Sequence, residues 1–176
     1  METRIAMRKL YVVSLCIVTI NLFNLCHGEY IVCAGTETGI NVGQKAPNFT
    51  LPNVDGSEFE LEAFSKDKNV LLVFSATWCQ ACRHEIPLIK NFYNEFRDEG
   101  LGIVVIDIGE SRSKVKSFVK EREINYNVIL DEMADVAKIF KVTAIPLNIV
   151  LDKRGIIIYK DNAPPDKDFI QGLFVN

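Results

Sequence analysis

Cys79 and Cys82 stand two residues apart in Ser75-Ala-Thr-Trp-Cys-Gln-Ala-Cys-Arg-His-Glu85, with Trp78 directly before the first. Such a pair can be a structural bridge, part of a metal site, or a working dithiol. A zinc site wants about four ligands, yet the chain has only two histidines, His27 and His84, and no second Cys pair. A structural bridge here would close a very short loop and constrain the unfolded chain little. A dithiol fits the surroundings better. Val70-Leu-Leu-Val-Phe-Ser75 reads as a buried strand, and a helix should begin just past the pair. The first turn of a helix leaves amide N–H groups unpartnered and carries partial positive charge. A thiol placed there ionises below its free pKa of ~8.5.

That placement assigns roles. Cys79, at the helix entry, is the candidate nucleophile, forming a mixed disulfide with a substrate. Cys82, one turn deeper and expected to be the less exposed, is the candidate resolving thiol, closing a 79–82 bridge. Glu85 follows three residues on and shares the inward face with Cys82. Burial there would raise its pKa and let it move the Cys82 proton; the plainer reading is a surface Glu beside His84. Trp78 either packs or flattens a docking surface beside Cys79. Arg83 and His84 are expected to be exposed. No cofactor and no metal is called for, because the two sulfurs carry the electrons.

The elements that position these residues follow from periodicity. Asn48-Phe-Thr-Leu51 and Ser57-Glu-Phe-Glu-Leu61 flank Asp55-Gly56, a hairpin signal. Ile86, Ile89, Phe92, Tyr93 and Phe96 form one helical stripe, which Pro87 should kink and Gly100 should end. Leu101–Ile108 is a second buried strand. Ser113–Arg122 is an amphipathic helix with Val115, Phe118 and Val119 inward. Asn127–Leu130 is a short strand, and Asp131 is placed to cap a helix carrying Met133, Val136, Ala137 and Phe140. Leu147–Leu151 and Ile156–Lys160 bracket Lys153-Arg-Gly155 as a late hairpin, and Asp168–Val175 is a last short helix. Helices alternating with buried strands give parallel pairs, and the late hairpin adds an antiparallel edge. The class is α/β, a central mixed sheet flanked by helices with an N-terminal β-hairpin. Pro146, at the entry to a strand, is trans on base rates alone.

The bulk numbers agree with one folded domain. The chain has 176 residues, 48% of them apolar, enough for one core. A net charge of −3 offers no basic face for nucleic acid. Arg4, Arg8 and Lys9 precede the apolar run Leu10–Phe23, the layout of a secretory signal, with cleavage sites after Gly28 or Ala34. The competing reading is an uncleaved anchor, although the run is short of the ~20 residues of a span. A lipoprotein signal fits less well, because large residues precede Cys26 and Cys33. Each route leads outside the cytoplasm, where disulfide chemistry is possible. The division expected is 1–28 signal or anchor, 29–40 linker and 41–176 folded domain. That last part and the linker carry 17 basic and 22 acidic residues, −5. Cys16 and Cys26 lie in the targeting segment, and Cys33 beyond it is assigned no role.

Gly43-Gln-Lys-Ala-Pro-Asn-Phe-Thr-Leu51, Ala76-Thr-Trp-Cys-Gln-Ala-Cys82, Glu85-Ile-Pro87, Ile145-Pro146 and Asp152-Lys-Arg-Gly155 together resemble the thioredoxin-like fold. More closely they resemble the TlpA/ResA group of extracytoplasmic thiol–disulfide oxidoreductases, within the redoxin and AhpC/TSA set. The likeness covers residues 41–175. It implies Cys79 as nucleophile, Cys82 as resolving thiol and Glu85 as active-site acid. It also implies a cis Pro146 against the dithiol, with Ile145 offering its backbone to the substrate chain. The partners implied are protein thiols and disulfides, apo-cytochrome c among them, and a membrane-linked thiol electron donor. The membrane is touched only through an uncleaved N-terminal segment. Three positions depart from the pattern. Gln80-Ala81 lacks the proline common between the cysteines, Leu147 replaces a frequent Thr, and Val73 stands where thioredoxin has a buried Asp. Two other functions compete. A thiol peroxidase of the peroxiredoxin type would want Pro-x-x-x-Thr-x-x-Cys, but Leu72 and Ala76 stand where the Pro and Thr should be. A non-catalytic binding module would have an idle dithiol.

Overall fold

The computed structural model describes residues 37–175; the expected signal or anchor and Cys16, Cys26 and Cys33 lie outside them. Thr50–Pro52 (β1) and Glu58–Glu60 (β2) pair antiparallel around Asp55-Gly56. Gly56 has φ +101°, which only glycine adopts without strain, and the Asp55 carboxylate accepts from Ser57 N–H at 2.8 Å. Leu61–Ser65 forms a short helix, α1, absent from the periodicity reading because five residues show no period.

Five strands make the main sheet: Asn69–Ser75 (β3), Leu101–Ile108 (β4), Asn127–Asp131 (β5), Leu147–Leu151 (β6) and Ile157–Asp161 (β7). Their order is β5-β4-β3-β6-β7. β3, β4 and β5 run parallel, while β6 and β7 are antiparallel to their neighbours. The helices are Gln80–Phe96 (α2), Arg112–Glu121 (α3), Asp135–Ile139 (α4) and Lys167–Gly172 (α5). This is the mixed sheet and helix layering expected.

Strand alternation divides the core between the two faces of the sheet. Val70, Leu72, Phe74, Val104, Ile106 and Ile149 pack with Phe49, Phe59, Val136 and Phe140 on one side. Leu71, Val73, Ile103, Val105 and Val150 pack with Ile89, Phe92 and Phe96 of α2, Val115 of α3 and Ile170 of α5 on the other. Both faces of β3 and β4 are therefore covered, which explains their unbroken apolar runs. Each fully buried Phe or Leu contributes roughly 1.5–3 kcal/mol relative to exposure.

Three local expectations need correction, at Met133, Arg83 and Pro146. α2 continues through Pro87, which lies on its exposed side. Met133 is 74% exposed rather than inward. Ala134, at φ +57°, turns the chain between Met133 and the first residue of α4, so the helical spacing does not extend back to Met133. Arg83 is half-buried, with Nη1 reaching the Thr77 carbonyl at 3.5 Å, while His84 is exposed. Pro146 follows a cis peptide bond, against the residue base rate and as the family resemblance implies.

Residues 37–40, read as the end of the linker, are tied into the domain. Gly39 N–H donates to the Lys45 carbonyl and Lys45 N–H to the Glu37 carbonyl, both at 2.9 Å. The segment that follows reaches both outer strands. Gly43 N–H donates to the Ile157 carbonyl and Ile157 N–H to that of Gln44; further on, Val54 N–H donates to the Val128 carbonyl.

Candidate active site

β3 ends at Ser75, and Ala76–Cys79 carry the chain into α2. Cys79 is the N-cap, with extended backbone (φ −72°, ψ 113°). Its Sγ accepts the Cys82 N–H at 3.2 Å, so an otherwise unpartnered helix amide is aimed at this sulfur. A disulfide joins Cys79 to Cys82, with the Cα atoms 5.3 Å apart. Cys79 Sγ lies 3.8 Å from the Ile145 carbonyl oxygen. Ala76, Cys79, Cys82 and Ile145 form a small apolar cluster of their own, with Pro146 buried next in the chain.

The expected difference in exposure between the two sulfurs is absent. Cys79 is 6% exposed and Cys82 5%. In the bonded pair both sulfurs pack in one cluster with Ala76 and Ile145. What separates them is polarity, since Cys79 Sγ receives the helix amide. Trp78, 64% exposed, stands directly beside this buried pair.

Glu85 is half-buried on the second turn of α2, and its Oε2 accepts from Asn148 Nδ2 at 3.3 Å. Burial raises its pKa, and the Asn148 hydrogen bond only partly opposes that. Asn148 is fully buried on β6. Spacing along α2 points to Glu85, but its partner is 63 residues away and leaves no local signal.

Glu110 holds the loop before Cys79, and Asn162 holds the turn that carries Ile145. Thr77 donates to Glu110 twice, through its backbone N–H at 2.5 Å and its hydroxyl at 2.8 Å. Glu110 is 6% exposed and is paired with Lys114 Nζ at 2.5 Å. Burial raises the Glu110 pKa, but Lys114 and the two Thr77 hydrogen bonds outweigh it and hold the carboxyl below its usual range. Across the site, Asn162 Nδ2 donates to the carbonyls of Pro146 at 2.6 Å and Ala144 at 3.3 Å, fixing the turn that presents Ile145. Thr77, Glu110 and Asn162 were not singled out from sequence. Their types are common on surfaces, and only the topology brings them together.

Residues 42–160 match the AhpC/TSA family. The chain belongs to the AhpC/TSA family. Within it, the chain is 30% identical over 135 residues to the thiol-disulfide oxidoreductase ResA of Bacillus thuringiensis subsp. konkukian, spanning 77% of this chain and 78% of that protein. It is 35% identical over 127 residues to ResA of Bacillus subtilis, spanning 72% and 70%. Among solved structures, the thioredoxin domain of a thiol-disulfide oxidoreductase from Bacteroides vulgatus superposes with a TM-score of 0.71 at 26% identity, covering 78% of this chain and all of that one. The fold of this AhpC/TSA member is thioredoxin-like, and its function is thiol–disulfide oxidoreduction with the Cys79–Cys82 pair.

Proposed function

We propose that this protein reduces disulfides in exported proteins, with Cys79 attacking and Cys82 resolving. The observation that supports it most is the position of Cys79 Sγ: at the helix N-cap, receiving an amide and bonded to Cys82. On reduction, that amide and the helix end favour a thiolate at Cys79. The thiolate attacks a substrate disulfide. One substrate sulfur leaves with its electron pair, and the other stays bonded to Cys79. Cys82 then attacks Cys79 Sγ, forming the intramolecular bridge and freeing the second substrate thiolate. A membrane-linked thiol donor returns the pair to the dithiol.

The Ile145 carbonyl, beside Cys79 Sγ and held by the Asn162 turn, offers an extended substrate segment a backbone acceptor. Pro146 shapes that turn, and exposed Trp78 gives the substrate an apolar face to lie on. Glu85 takes the Cys82 proton during resolution. The basic-then-apolar segment at 4–23 supports an extracytoplasmic location, by cleaved signal or by anchor. Among the described residues no helix is long and apolar enough to cross a membrane. Apo-cytochrome c, its haem-attachment thiols oxidised, is a substrate of the kind that the likeness to the TlpA/ResA group implies.

Two experiments test this reading. In Cys82→Ser the mixed disulfide has no resolving thiol, so adducts with natural clients accumulate in the native compartment, visible as thiol-sensitive bands. Their absence removes Cys82 from the resolving role. Glu85→Gln is expected to slow resolution about tenfold and to flatten its rise with pH. The sign follows from the raised pKa: the carboxyl becomes a base only above the ordinary carboxylate range, so the wild-type rate climbs as pH approaches neutrality. An unchanged profile in the Gln variant excludes Glu85 as the base.

A further inference from the structure

Asp107 is the next-to-last residue of β4, directly in register with Ser75, and it is 4% exposed. Alternation along β4 puts it on the same face as Ile103 and Val105, the face covered by α2. Its Oδ1 has no hydrogen-bond partner. Buried polar atoms are almost always paired, so an acid with an open acceptor at this depth calls for a reason. It borders a cavity of about 30 Å³ that Cys82, Ser75 and Ala76 also line. That is room for one water, with polar groups on its walls to hold it.

The sheet order gives the arrangement its meaning. β3 lies between β4, which carries Asp107, and β6, which carries Asn148 and through it holds Glu85. Cys82 therefore has an acid on each side. The other titratable or charged groups facing Asp107 are Arg83 of α2, Glu110 after β4, Lys114 of α3 and Tyr126 before β5. Burial and then the Glu110 charge push the Asp107 carboxyl up to about 8, with Lys114 pulling the other way.

We propose that Asp107 is a second proton-relay residue for Cys82, working from the flank opposite Glu85. The proposal rests on Cys82 being the resolving thiol. In the mixed disulfide, and in weakly alkaline solution where it is ionised, the Asp107 carboxylate accepts the Cys82 proton across the bridging water, the role that Glu85 fills at lower pH. The electron pair left on Cys82 attacks Cys79 Sγ, and the Cys79–Cys82 bond forms. The bond from Cys79 to the substrate breaks, its pair leaving on the substrate sulfur as thiolate. Asp107 ends protonated. When a thiol donor reduces the bridge, Asp107 returns the proton to Cys82.

The test uses the full chain with Cys16, Cys26 and Cys33 replaced by serine, reduced and mixed with dithiobis(nitrobenzoate). One nitrothiophenolate leaves when Cys79 attacks and a second when Cys82 resolves. Asp107→Asn is expected to slow the second release about tenfold or more and to abolish its rise through weakly alkaline pH. The first release is expected to stay within about twofold, because Asn keeps the shape of the site. A second release with the parent's rate and pH profile overturns the proposal. A parent chain that gives only one release removes Cys82 from the resolving role and the proposal with it, which separates the two failures. A measurement without the variant is the carboxyl-carbon NMR titration of Asp107 in the oxidised and reduced parent. Its midpoint is expected to differ between the two states by about half a pH unit or more; equal midpoints overturn the proposal even where Asp107→Asn does not fold.

Discussion

Cys79→Ser is expected to abolish reduction of insulin disulfides, lowering turnover by at least about a thousandfold. A hydroxyl at this N-cap does not ionise near neutral pH, so no nucleophile forms. Cys82 is a poor substitute, since the helix amide is its own N–H and points at residue 79. The loss should be one of chemistry rather than folding. Serine is among the best N-cap residues, and the bridge it removes closes too short a loop to stabilise much. Thermal unfolding measured alongside should therefore shift by only a few degrees, about what 1 kcal/mol gives in a domain of this size. Insulin reduction retained in Cys79→Ser would move the nucleophile to another residue.

The largest expected effect on stability lies away from the sulfurs, at Asp131. This residue ends β5 and is 1% exposed. Its carboxylate accepts from Asp135 N–H and Ala137 N–H at 2.8 Å, and from Val136 N–H at 3.3 Å. Three first-turn amides of α4 thus depend on one side chain, two of them on buried residues. Asp131→Ala leaves them without a partner and opens a void at the end of β5. We expect a loss of about 3 kcal/mol in urea unfolding, a large share of the 5–15 kcal/mol typical of a domain. A loss below about 1 kcal/mol would mean that other groups take over those amides.

How far such features could be read from the chain depends on their range in sequence. The Asp55-Gly56 hairpin, the strands at 69–75 and 101–108, and the Cys79 N-cap are written in neighbours, and each was found where the residues pointed. Asp131 was legible as a cap for the same reason. Met133 was not, because one residue in left-handed conformation at Ala134 resets the helical phase that its spacing suggested. The groups that hold the site residues in place were out of reach. Glu110 holds Thr77 across 33 residues, and Asn148 holds Glu85 across 63. Neither pairing has a period or a motif, and both exist only because the parallel order of β3 and β4, with β6 beside them, stacks these positions. The cis Pro146 was likewise reached by family likeness rather than by residue preference, which favours trans.

The segment running from Gly43 to Val54 has a consequence beyond the dithiol. By bonding to Ile157 at one margin of the sheet and to Val128 at the other, it occupies backbone groups that a second polypeptide would otherwise use to extend the ribbon. A chain shortened past Val54 would leave backbone donors and acceptors at both margins open to pairing with another strand.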